Sequence, residues 1–178
     1  MLDERRVKEA ELNVKHYLAE GLLKRQPFQK EVHDILSKNA QESLELSGFL
    51  LSNGRSDLWI IVTAYYAMYY KANAVLLTRG YKVGDRIAHK VTADALIVFA
   101  RNDLKAALLE AYEETQDQAL AAMKADDLLE DFDRERRKRN AVQYEIKEPE
   151  KHAKATTSLE RAKRFLFELE KLDGKKKG

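Results

Sequence analysis

The chain has 178 residues, a length that suits one domain with a sizeable core. Its 32 cations and 30 anions leave a net charge of only +2, which excludes a polyelectrolyte that coats nucleic acid along its whole length. The absence of cysteine excludes disulfides, thiolate zinc sites, iron–sulfur clusters and cysteine nucleophiles.

The N-terminus, MLDERRVKEAEL, is charged from its third residue and lacks the apolar core of a secretory signal. The longest apolar stretch, 58 to 68, is too short to span a bilayer. The expectation is a cytoplasmic protein without a membrane segment.

Apolar residues recur at three-to-four spacing, and the few glycines and prolines mark boundaries. This predicts an all-α chain: a single antiparallel up-and-down bundle of about five to six helices. An outer N-terminal helix over 2–23 carries an imperfect stripe. The bundle proper spans 28–172 and the tail 173–178 frays. Pro27 opens a second helix that runs to Ser52, with Val32, Ile35, Leu36, Leu44, Leu46 and Leu50 expected inward.

Ser56 is placed to cap a third helix over 57–79. That helix is apolar around most of its circumference, which makes it the central one. Gly80 ends it, and GYKVGDRIAHK reads as a loop. A short helix over 91–101 follows, then a long one from 104 to about 140. The break at Glu148-Pro149 precedes a last helix over 150–172.

The long helix ends in RERRKRN, residues 134 to 140, with five cations and an amide in seven residues. Cations at a helix C-terminus favour the dipole, so Arg134, Arg137 and Lys138 read as a solvated face. Arg139 differs. Seven-residue steps link Phe132, Arg139 and Ile146, placing an arginine where the apolar stripe expects a leucine. A guanidinium there needs a carboxylate partner or a wet cleft. Asn140 stands beside it and Arg136 one turn back.

Two segments resemble the HEPN domain family of small helical bundles. One is TAYYAMYYKANAVLLTRGYKVGDRIAH, residues 63 to 89: an aromatic-rich helix, a glycine, then a loop ending in histidine. The other is RRKRNAVQYE, residues 136 to 145, followed after a short break by an alanine-rich final helix. The resemblance implies a homodimer whose two motif regions face one cleft. It also implies a metal-independent endoribonuclease activity in active members, with no metal and no cofactor. Arg139 and Asn140 match the arginine that holds the scissile phosphate and its polar neighbour. The family's histidine, four to six residues on, is missing, and Tyr144 stands there instead. An ordinary tyrosine pKa of about 10 makes it a poor general base at neutral pH.

The departure points to a noncatalytic or weakly catalytic module associated with nucleotide or RNA. Its implied partner is a small nucleotidyltransferase in a toxin–antitoxin-like pair, with Tyr144 the candidate acceptor of a nucleotidyl group. An active ribonuclease and a plain helical interaction protein are the alternatives. His89 matches the loop histidine, and Lys71 is the only cation in the middle of the third helix. With Arg136 they form the candidate binding set. Tyr65, Tyr66, Tyr69 and Tyr70 read as core and dimer interface, and His16 and His33 as surface residues.

Overall fold

The computed structural model describes residues 2–136 and 148–173, with side chains described over 2–124 and 150–173. Among these residues the protein is an all-α bundle of six helices: α1 (Glu4–Ala19), α2 (Lys30–Ser52), α3 (Asp57–Thr78), α4 (Ala88–Ala100), α5 (Ala106–Arg136) and α6 (Glu148–Asp173). No helix among them is long and apolar enough to cross a membrane.

The third helix is central, as its composition requires. Ile60, Ala64, Tyr65, Met68, Ala72 and Leu76 are all completely buried along it. Helices α2, α4, α5 and α6 all pack against α3. The seam with α2 is made of small residues. Ala40 and Ser47 are the buried residues of α2, and the Ser47 hydroxyl donates to the Ile60 carbonyl at 2.9 Å. That bond fixes the register of the α2–α3 hairpin and satisfies a hydroxyl taken out of water. Ser56 stands at the N-cap of α3, but its side chain makes no capping hydrogen bond.

Two short strands interrupt what the sequence reading takes as the end of the first helix and as a loop. These are β1 (Leu23–Arg25) and β2 (Tyr81–Val83), which pair antiparallel with Lys24 opposite Lys82. Gly21 (φ +70°) and Gly80 (φ +83°) turn the chain out of α1 and α3 into these strands, a conformation glycine adopts without strain. α1 therefore ends at Ala19, and α4 starts at Ala88, three residues earlier than the sequence spacing suggests. Pro149 sits in the first turn of α6, where its missing N–H costs no helical bond.

Two further corrections concern α2. Ile35 and Leu46 are not inward: they are 59% and 47% exposed. His33 is not a surface residue: its side chain is 16% exposed, on the face that meets α6, with the Phe28 ring 5.4 Å away. The small-residue seam explains the first. Close approach at Ala40 and Ser47 turns the larger apolar residues of α2 away from α3.

α1 is held by charge as well as by its buried residues Ala10, Val14 and Tyr17. Asp94 of α4 is completely buried. Its carboxylate accepts from Arg6 Nη2 at 2.6 Å, Asn13 Nδ2 at 3.0 Å and the Tyr17 hydroxyl at 2.8 Å. The three donors lie seven and four residues apart, on one face of α1. Arg6 Nε also donates to Glu113 of α5 at 2.8 Å. Burial alone would lower the Arg6 pKa, but Asp94 and Glu113 outweigh it and raise it. Burial and the Asp94 bond push the Tyr17 phenol well up, so it stays a donor. Asp94→Ala would strand three donors and an arginine charge. We expect it to cost about 3–5 kcal/mol, read as a lower urea midpoint at unchanged slope if the whole bundle responds.

Candidate functional site

The candidate site forms where α3, the start of α4 and the middle of α5 meet. Ile87, just before α4, has φ +45°, a left-handed conformation that a β-branched residue rarely adopts. It places His89 in the first turn of α4, against the tyrosines of α3. The Tyr65 hydroxyl lies 2.7 Å from His89 Nδ1. Ring centroids of Tyr69, Tyr65 and Tyr66 lie 4.8, 5.5 and 6.0 Å from the imidazole.

Tyr65 and Tyr112 are buried, with their rings edge-on at 5.9 Å. Burial raises both phenol pKa values, so both hydroxyls stay protonated at neutral pH. Burial lowers the His89 pKa, which keeps the ring neutral there. Where the protonated Tyr65 phenol donates to Nδ1, the imidazole proton sits on Nε2, and that nitrogen is the one a ligand can use.

Two clefts flank this ring cluster. One, of about 540 Å³, is lined by His89, Lys90, Arg6, Glu113, Gln116 and Asp117, among others. Its cations, Arg6 and Lys90, are matched by its carboxylates, Glu113 and Asp117. It therefore does not attract phosphate by charge alone. The other, of about 350 Å³, is lined by Tyr69, Tyr70, Asn73, Lys82 and Asp85 with apolar residues of α2 and α3. Tyr66, Tyr69 and Tyr70 are partly exposed, unlike Tyr65. Of the tyrosines read from sequence as core and interface, Tyr65 alone is completely buried. Stacking and hydrogen bonding to a planar group are the chemistry these surfaces offer.

The other candidates fall elsewhere. Lys71 is buried and its ammonium pairs with Asp173 at the end of α6. The second Asp173 oxygen lies 3.4 Å from His33 Nε2. The charge of Lys71 is thus engaged inside the fold, between α3 and α6. Arg136 closes the described length of α5. Twenty residues of helix separate it from Gln116, a rise of about 30 Å along the axis. One chain therefore does not bring the Arg136 backbone to the His89 cleft. Arg139, Asn140 and Tyr144 lie outside the described residues.

Sequence reasoning missed the His89–Tyr65 pair and the contribution of Arg6 and Gln116 to the cleft. A separation of 24 residues across a strand and a helix start gives no local signal for such a pair. Among the described residues no group of three or more histidine or carboxylate side chains could hold a metal ion. No family model, no curated protein and no solved structure matches this chain.

The depressed His89 pKa has a consequence for stability. The unfolded chain takes up a proton on this histidine near pH 6.5, while the folded chain resists it to lower pH. Between those values the unfolded state binds more protons, so stability rises with pH through that window and falls on acidification. Thermal unfolding from about pH 5 to about pH 7.5 should show that slope, and His89→Gln should flatten it. An unchanged slope in the variant would place the titrating group elsewhere.

Proposed function

We propose that the protein is a HEPN-type module that binds nucleotide or RNA without cutting it efficiently, and that it works beside a small nucleotidyltransferase. The observation that carries this reading is the His89–Tyr65 pair. A neutral imidazole, held at one nitrogen by a buried phenol and ringed by tyrosines, is a fixed hydrogen-bonding group. It suits recognition of a base edge more than neutralisation of a phosphate. The balanced charge of the adjoining cleft supports the same view. In this reading Arg139 and Asn140 meet phosphate. Tyr144, in place of a histidine, leaves the motif without an efficient base for a ribose 2′-hydroxyl.

The second reading is an active metal-independent ribonuclease. The place of Arg139 in the apolar spacing of the sequence, where only a functional or paired arginine belongs, speaks against a plain helical interaction protein and fits either reading. RNA cleavage by purified protein with EDTA present separates the two, run beside Arg139→Ala and Tyr144→Phe. The first reading expects no cleavage by any form. It also expects a nucleotidyl mass on Tyr144 of the wild-type chain, but not of Tyr144→Phe, when a nucleotidyltransferase partner and nucleoside triphosphate are supplied. Cleavage that survives EDTA and is lost in Arg139→Ala would establish the second.

A further inference from the structure

The His89–Tyr65 pair continues into the core. Tyr112 of α5 is completely buried, its ring lies edge-on to Tyr65 at 5.9 Å, and its hydroxyl approaches the Tyr65 hydroxyl. That approach is looser than an ordinary hydrogen bond, and among the described residues no other group takes the Tyr112 proton. Beside Tyr112 stands the Phe165 ring of α6, centroids 5.4 Å apart, which carries no acceptor. Three side chains from three helices thus form a row: Tyr112, Tyr65, His89. Its inner end is closed by the core, and its outer end opens on the cleft that His89 lines.

A row closed at one end favours one direction for its hydrogens. A phenol has one hydrogen to give, and its oxygen can also accept. Running outward, Tyr112 donates to Tyr65, Tyr65 donates to His89 Nδ1, and the imidazole hydrogen on Nε2 is left for the cleft. Running inward, His89 Nδ1 donates to Tyr65 and Tyr65 to Tyr112, and the Tyr112 hydrogen is stranded in the core. A stranded buried donor disfavours the inward order by about tenfold or more. Gln116, one turn beyond Tyr112 and also buried, reaches the same Tyr65 hydroxyl. An amide can turn either end to a partner, so Gln116 follows the direction of the row and does not set it.

We propose that Tyr112 is a positioning residue: it fixes the direction of this row and so holds His89 as an Nε2–H donor toward the cleft. The ligand atom taken at that point is then an acceptor, a carbonyl oxygen or a bare ring nitrogen. Nε2 does not serve as a base for a ligand hydroxyl while it carries that hydrogen. The use of this donor in recognition rests on the nucleotide-binding reading above; the tautomer itself is a property of the free protein.

Nitrogen-15 NMR of the His89 imidazole tests it, at about pH 8, where a histidine is neutral. The samples are the wild type, Tyr112→Phe and Tyr69→Phe. Tyr112→Phe keeps the ring and removes a hydroxyl that is only loosely bonded, so the fold should survive, with an unchanged circular dichroism spectrum. The wild type is expected to be the Nε2–H tautomer. In Tyr112→Phe the ratio of Nε2–H to Nδ1–H should fall about tenfold, read as a narrower separation of the two ring signals. Tyr69→Phe removes a phenol whose ring lies 4.8 Å from the imidazole but whose hydroxyl meets Thr92 and Asn73. It should keep the wild-type ratio. An Nδ1–H ring in the wild type would overturn the proposal. So would a Tyr112→Phe ratio equal to the wild type, or an equal change in Tyr69→Phe. Adenosine monophosphate added to the wild-type sample tests the binding reading separately. Ring signals that ignore it would end that reading and leave the role of Tyr112 standing.

Discussion

The fold depends on one constraint: α3 is apolar around most of its circumference and must be wrapped. Its neighbours α2, α4, α5 and α6 do this, and most of the molecule's architecture follows from how each makes room. Alanines at 64, 67, 72 and 74 let helices approach closely. The polar groups that α3 carries into this environment then dictate specific partners. Lys71 requires a carboxylate, and Asp173 at the end of α6 supplies it. Tyr65 requires a partner for its hydroxyl, and His89 supplies it. The two obligations tie α6 and the start of α4 to the same helix.

The site is therefore a product of packing rather than an addition to it. α4 reaches the tyrosines because β1 and β2 clip the connection after α3 to the connection after α1. α1 in turn lies on α4 through the buried Asp94 carboxylate and its three donors. The strained backbone at Ile87 falls between these two restraints, one residue before α4. Strain held in this way is consistent with a position set by its surroundings rather than by local preference.

Much of the bundle was legible in the sequence. Three-to-four spacing located the helices, Gly80 marked the end of α3, and the apolar residues around most of the circumference of 57–79 identified the central helix. The strands were not legible, because LKR and YKV are too short to show alternation. The direction of α2 was misjudged for a physical reason. Its inner face is the one with small residues, so reading the larger apolar residues as inward put Ile35 and Leu46 on the wrong side. Of the candidate site, His89 was legible through the loop that carries it. Its phenol partner was not, since that contact exists only in three dimensions. Lys71 stood out as a lone cation, but nothing in the sequence links it to Asp173, 102 residues away. The basic stretch with Arg139, Asn140 and Tyr144 lies outside the described residues, so its reading rests on sequence pattern and resemblance.

The central claim is that His89 is a neutral, tyrosine-anchored recognition group. Nitrogen-15 NMR of the imidazole tests it most directly, recorded against pH and then with added adenosine monophosphate or a short RNA. The account expects the Nε2–H tautomer, titration below the ordinary histidine value near 6.5, and shifts of the His89 ring signals on ligand addition. A ring that titrates at or above that value, or one indifferent to both ligands, would contradict it.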